Sequence, residues 1–282
     1  MKSKRTVFHP GYAALVFLVL AYVFQVNQDT HRFHAPNKSA VNVTLNYFIE
    51  PQPPSSSAAR LSSFGATEFL ADWYWLKTIQ YYGGGDPSGQ YRKLAELFHL
   101  VTDLSPKFKA AYKTGLLILP GEGFVDEALA LGTKGQEKLS NDWELPYYTG
   151  LVWHISKKDY AKAAAQFERA ATLPGAPANA KLFAAIYYKE AGTRQTAYQI
   201  FKTIYETSSD DFTKERARKY VEHLNIQFFL EDGVSRYRTQ FGRLPSSLDE
   251  LVARKVIDSI PPSPLERTFT LDPATGAVND TK

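Results

Sequence analysis

The chain has 282 residues, 44% hydrophobic and 22% charged, an ordinary globular composition with enough length for one sizeable core or two small ones. Its 33 basic and 29 acidic residues leave a net charge of +4, supplied largely by Lys2, Lys4 and Arg5, and no long basic run elsewhere points to nucleic acid. Cysteine is absent, which excludes disulfides, thiolate nucleophiles and cysteine-ligated zinc.

The first element is an uncharged run, GYAALVFLVLAYVFQV, from Gly11 to Val26. As a helix it would span about 24 Å, a little short of a hydrocarbon core of roughly 30 Å, and Tyr12 and Tyr22 suit its interfaces. Three cations precede the run, so residues 1–10 are expected in the cytoplasm, 11–26 across the membrane, and the rest in the periplasm or outside. A cleaved secretory signal is the rival reading, but AYVFQV offers neither an Ala-x-Ala site nor a lipobox cysteine. Either reading exports the bulk of the chain.

Residues 27–60 read as a linker rich in Asn, Pro and Ser, interrupted by VNVTLNYFIE, in which Val41, Val43 and Leu45 alternate as in a short strand. His31 and His34 stand three apart with no third ligand group nearby, so no metal site is expected. Asn42-Val43-Thr44 is a glycosylation sequon, meaningful only in a eukaryotic source. Next comes FGATEFLADWYWLKTIQYYG, residues 64–83, where aromatic side chains crowd around Asp72. The following GGGDPSG, 83–89, lacks a Gly-Lys-Ser/Thr ending and reads as an enlarged loop, not a phosphate cradle.

From residue 91 the chain repeats itself. YRKLAELFHLVTDLSP, VDEALALGTKGQEKLS, YAKAAAQFERAATLPG and RQTAYQIFKTIYETSS align so that Leu94, Ala128, Ala163 and Ala197 stand 34, 35 and 34 residues apart. The helices before them agree: Tyr112 falls on Tyr147 and Gly115 on Gly150, each pair 35 apart. One helix hairpin per repeat follows, because small residues at a crossing let two helices approach to about 8–10 Å while a neighbouring aromatic fills the groove. Ala163, Phe167, Ala170 and Pro174, and likewise Leu94, Phe98, Val101 and Pro106, carry the spacing of the tetratricopeptide repeat family, which the chain resembles over about half its length. The last unit keeps Ala197, Phe201 and Ile204 but ends in Ser209; the second departs most, with Gly132 in place of the aromatic, Gly135 after it and Pro120 cutting its first helix.

The resemblance implies an all-α, TPR-like solenoid of about four helix hairpins over 61–209, behind the transmembrane helix. It also makes 64–83 the first helix of the first repeat, with Trp73 and Leu76 in its signature. Phe69, Trp73 and Leu76 are then expected to pack on the second helix, leaving Trp75, Ile79 and Tyr82 as an aromatic face that no preceding repeat buries. In the family the first helices line a concave groove, here Tyr74, Tyr81, Lys113, Leu117, Tyr148, Val152, Ile155, Leu182, Ile186 and Lys189. That lining is mostly apolar, with only Lys113 and Lys189 able to clamp a carboxylate, and so implies an apolar helix or extended segment as guest. The chain's own residues 41–60, or the long helix near 220, are the competing occupants.

Residues 210–242 read as one long helix, with Tyr220, Val221, Leu224, Phe228 and Phe229 on a broad apolar face, able to cap the array. The tail, 243–282, reads as a small mixed α/β element: a short helix over 245–251, a Pro-rich turn, and a strand from Thr268 with a DPATG hairpin signal. Its Tyr-x(4)-Gly-x-Leu-Pro-x-Ser-Leu pattern, followed by Leu-Val, Ile-Pro and Pro, runs from Tyr237 to Pro264. It is similar to the C-terminal stretch of the major pseudopilins of type II secretion systems.

A catalytic constellation is harder to find. There is no Gly-x-Ser-x-Gly, the six histidines are scattered, and His154 reads as a core or groove histidine. Asp72 is expected to be buried against a Tyr hydroxyl, Trp NH or Arg. The expectation is therefore a membrane-anchored scaffold or adaptor for protein partners, needing no cofactor or metal; its narrower form is an accessory of a secretion or pilus-like assembly. The alternative is an exported enzyme with Asp72 and Glu68 as acid and base.

Overall fold

The computed structural model describes residues 50–84 and 90–281; the apolar run 11–26, the strand-like 41–45, the HRFH histidines, the sequon and most of the glycine-rich loop lie outside them. Among the described residues there are eleven α-helices and one two-stranded antiparallel sheet. A short helix α1 (Ser56–Ser62) precedes α2 (Thr67–Gly83) and α3 (Leu94–Leu104). Two hairpins follow, α4 (Lys109–Ile118) with α5 (Val125–Lys138), and α6 (Glu144–Val152) with α7 (Tyr160–Ala171). A five-residue π-helical turn, Trp153–Lys157, ends α6. Then come α8 (Ala178–Glu190), α9 (Arg194–Thr207), the long α10 (Asp211–Phe241), α11 (Leu248–Ala253) and strands β1 (Thr268–Leu271) and β2 (Val278–Thr281).

From α2 to α10 each helix packs on the next in chain order. The residues aligned by the repeat occupy equivalent places: Leu94, Ala128, Ala163 and Ala197 are all fully buried, as are Phe98, Phe167 and Phe201. Gly150 shows why the crossing needs small residues, since a Cβ there would lie 3.0–3.2 Å from the Phe167 ring. At Gly115 it would meet Leu131 Cδ2 at 2.3 Å and Phe98 at 3.3 Å. In the aberrant second unit the place of the missing aromatic is closed from the first helices: a Cβ at Gly132 would meet Thr149 Oγ1 at 2.5 Å and Leu116 Cδ2 at 3.0 Å, and one at Gly135 would meet Tyr112 at 2.9 Å and Leu145 at 3.0 Å. Pro120 falls just beyond the last turn of α4, where its lack of an N–H costs nothing.

Local chemistry sets the element ends. Asp159 and Asp210 cap α7 and α10, accepting from Lys162 N at 3.0 Å and Thr213 N at 2.7 Å. Gly242, at φ +70°, closes α10 in the left-handed conformation that terminates helices. In the hairpin between the strands Asp272 accepts from Ala274 N and the Thr275 hydroxyl, and Gly276 takes φ +77°. The strands pair from Thr268↔Thr281 to Leu271↔Val278. Phe269 and Val278 then point into a second core with Leu230, Val234, Tyr237, Leu248, Leu251 and Ile257.

Three expectations change. The linker assigned to 27–60 ends earlier, because Ser56–Ser62 is helical: Ser55 accepts from Ala58 N, and Ser56 and Arg60 bond to Asp103 of α3. That acceptor lies over forty residues away and could not be seen locally. On α2 the two apolar stripes exchange roles. Ala71, Thr78 and Tyr81 are buried and Tyr74 packs with Leu70 against Leu100, Leu104 and Ala59, while Phe69, Trp73 and Leu76 face solvent. The small Ala71 and Thr78 allow a close approach to the neighbouring helices that a Trp73–Leu76 ridge would prevent. On α10, Phe229 is exposed, because the inner face runs through Ala217, Leu224 and Leu230 and Phe229 lies opposite it. No helix among the described residues is long and apolar enough to cross a membrane.

The crossings give a direct test. Gly150→Val pushes β-branched atoms into the Phe167 ring and is expected to cost about 2 kcal/mol, within the overpacking range of 1–3. Gly83→Ala, with nothing within 4 Å of the added Cβ, should be neutral or slightly stabilising. Thermal melts of the two variants by circular dichroism check the contrast.

Candidate interaction surface

The expected groove residues divide into three groups. Lys113, Leu117, Tyr148 and Ile155 are accessible, on α4, α6 and the π-helical turn. Here Lys113 Nζ sits 5.3 Å from the Tyr148 ring centroid and 3.2 Å from Glu144 Oε1, while Lys109 reaches Asp142 at 2.7 Å and Glu144 at 2.8 Å. Burial raises the Glu144 carboxyl, but hydrogen bonds from Lys109 and Lys113 outweigh it and hold the group below its usual range. Leu117, one turn beyond Lys113, and Ile155, at the far end of α6 on the π-helical turn, both project into solvent. The surface thus offers apolar anchors rimmed by paired charges, a composition suited to an apolar segment with polar ends.

A second group has no free surface to give. Tyr81, Val152 and Leu182 are buried. Tyr74 is half-buried, its phenol pushed up by that burial, and Ile186 packs against the Leu182, Phe201 and Leu224 cluster. Tyr74 serves the core through α1 and α3, and Leu182 and Ile186 through α9 and α10, partners that a per-residue reading of one repeat does not reveal.

Lys189 makes the third case. Its side chain is 3% exposed and clamps a carboxylate belonging to the chain itself, with Nζ at 3.0 and 2.9 Å from the two oxygens of Asp280 on β2. Arg267 reaches Asp280 at 2.8 Å, and His223 of α10 brings Nε2 within 3.3 Å of it while its Nδ1 lies 2.8 Å from Ser263 Oγ. The fully buried imidazole also stacks on Phe269, centroids 4.9 Å apart. Gln227 and Arg194 both donate to the Val278 carbonyl, at 2.7 and 2.9 Å. Burial pushes the Asp280 carboxyl up, but the His223, Lys189 and Arg267 contacts prevail and hold it far below the usual carboxylate range. The far end of the expected groove is thereby filled by the chain itself: β2 holds Lys189, and Tyr220, Leu224 and Phe228 of the long helix α10, one of the two expected occupants, lie in one cluster with Leu182 and Ile186; of the other, residues 41–49 lie outside the described residues.

The aromatic face expected at Trp75, Ile79 and Tyr82 is only partly there. Trp75 packs against Phe108 (5.4 Å) and Phe98 (6.1 Å), and Tyr82 against Tyr91 (5.3 Å), because this side of α2 turns toward α3 and α4; Ile79 alone stays exposed. The accessible apolar stripe is instead Phe69, Trp73 and Leu76, spaced i, i+4, i+7, a signal present in the sequence but assigned there to the core. Asp72 and Glu68 are both exposed on this helix, so the expected burial of Asp72 is not found. His154 lies 4.5 Å from the Tyr187 ring centroid, within an aromatic cluster of Tyr160, Phe167 and Phe183, a core and groove-edge setting. Among the described residues no three His, Asp or Glu side chains gather as a metal site.

No protein-family model matches the chain, and no curated protein matches it.

The buried Asp280 cluster makes two linked predictions. Asp280→Asn strands the Lys189 ammonium and is expected to cost about 3 kcal/mol, with part recovered in the double variant Asp280→Asn, Lys189→Met. The native carboxyl is depressed below its unfolded value of roughly 3.9, so its contribution is fully present above about pH 5 and lost as the pH falls below about 4. Urea titrations across that window should show an acid slope that Asp280→Asn flattens.

Proposed function

We propose that this protein is a membrane-anchored scaffold, a TPR-like solenoid that binds protein partners on the periplasmic or extracytoplasmic side. The observation that carries the reading is the pairing of a regular core with an accessible first-helix side. Small and aromatic residues are buried in register at intervals of 34–35, helices pack in chain order, and Lys113, Leu117, Tyr148 and Ile155 stay open to solvent. A stack of hairpins built this way supplies a stiff surface whose apolar anchors are held by the neighbouring units. In this reading α10 caps the last hairpin, and the tail occupies the distal groove so that a guest is received at the α4–α6 end. The run 11–26 supplies the anchor, with the N-terminus cytoplasmic. The narrower reading, an accessory of a secretion or pilus-like assembly, rests on the Tyr237–Pro264 pattern of the tail, and neighbouring genes encoding such a machine would support it.

Co-purification from detergent-solubilised membranes tests the scaffold. A stoichiometric partner is expected whose retention falls about tenfold or more, equivalent to roughly 1.4 kcal/mol, in Leu117→Asp and Ile155→Asp. Both side chains are exposed, so the variants should melt like the native chain; a monodisperse chain with no partner would count heavily against the reading.

A further inference from the structure

We propose that the outward face of α1 and α2 lies on the lipid bilayer, with its apolar side chains at the boundary between headgroups and acyl chains. The core of this face is the stripe Phe69, Trp73 and Leu76, 70%, 46% and 57% exposed, and Leu61 and Phe64, 83% and 85% exposed, stand in α1 and in the turn that leads into α2. Side chains that stand so far out form a ridge. A fluid interface closes around protruding side chains without needing walls on either side of them. The mixture of Trp, Phe and Leu is that of interfacial segments, and Lys77, with Nζ 5.4 Å from the Trp73 ring centroid, can cover the ring while its ammonium reaches the headgroups.

Backbone strain points the same way. Phe64 has φ +49° and precedes Gly65 at φ +90°, so a bulky aromatic is held in the left-handed region, yet its side chain is among the most exposed in the protein. Such a conformation is costly for a residue with a Cβ, and at Phe64 it yields no packing within the fold. It does hold the ring exposed at the corner between α1 and α2, five residues before Phe69.

Charge selects the kind of surface. Arg60 and Lys77 balance Glu68 and Asp72 around the face, so there is no basic patch to require anionic lipid, and a zwitterionic headgroup layer suffices. Chain order supplies proximity. The inference rests on the anchor reading, in which Val26 ends the membrane segment and α1 begins thirty residues later at Ser56. A tether of that length spans at most roughly 100 Å and keeps α1 and α2 at an effective millimolar concentration near the bilayer, so that even a weak interfacial preference is expressed.

The absence of cysteine allows a clean test on the full chain. Single-cysteine variants Phe69→Cys and Leu76→Cys, with Ala161→Cys on the exposed side of α7 as reference, are nitroxide-labelled and reconstituted into phosphatidylcholine vesicles. Labels at 69 and 76 should collide with oxygen at least about threefold more, relative to a water-soluble nickel chelate, than the label at 161. Equal nickel accessibility at all three sites overturns the proposal, as does protection of 69 and 76 from both reagents, which would mean that protein, this chain's or a second copy's, covers the face. Alkaline carbonate extraction separates the two readings. A chain that stays in the membrane with wet labels loses only the bilayer face, whereas a chain that is extracted loses the anchor and the proposal with it.

Discussion

Everything in the helical part depends on how closely neighbouring helices can approach. At Gly115, Gly132, Gly135 and Gly150 a single added carbon would fall within about 3 Å of a side chain on a neighbouring helix. The hydrogen on those α-carbons therefore sets the spacing of the helices, and the aromatic residues beside them, Phe98 and Phe167, fill what the glycines leave open. Dispersion at such contacts is short-ranged, so a gap of even half an ångström forfeits a large part of it. The 34–35-residue period is the sequence trace of that geometric requirement, repeated once per hairpin. The second unit obeys it with different chemistry, bringing Thr149 and Leu116 up to Gly132, where the other units have an aromatic.

The tail is held by a different kind of force. Hydrophobic contact fixes Phe269 and Val278 against α10, but contact of that sort tolerates sliding. The Asp280 carboxylate does not, because Lys189, Arg267 and His223 converge on it from α8, the β1 flank and α10. A buried carboxylate with three nitrogen-bearing neighbours defines one docked position, and any displacement parts the buried Lys189 ammonium from its nearest counter-charge, leaving it Glu190 at 3.5 Å. Hairpin packing thus sets the array, and this ion cluster sets where the tail sits on it. For the scaffold reading the consequence is directional: the guest surface is at α4 and α6, since the other end of the groove is already occupied.

At the opposite end, α2 is apolar on both sides and only one can be packed. Ala71 and Thr78 win the inward place because they are small, which sends the larger Phe69, Trp73 and Leu76 outward. Greater hydrophobic content does not by itself decide which face is buried; fit against the neighbour does. The same competition leaves Asp72 and Glu68 exposed to solvent.

The sequence by itself determined a good deal. The repeat period, the buried identity of Leu94, Ala128, Ala163 and Ala197, the extent of the long helix up to Gly242 and the Asp272–Gly276 turn were all legible, because each follows from periodicity or from residues with strong local preferences. Tertiary structure decided the rest. Lys189 could be recognised as a carboxylate clamp, but its partner stands ninety-one residues away and belongs to this chain. Trp75 was legible as apolar, but that it packs on Phe98 and Phe108 required α3 and the turn before α4 to be in position. The division has one physical cause. Local patterns record what a residue prefers, while burial, pairing and exposure depend on which distant surface arrives first at the right distance, and that is a property of the packed chain.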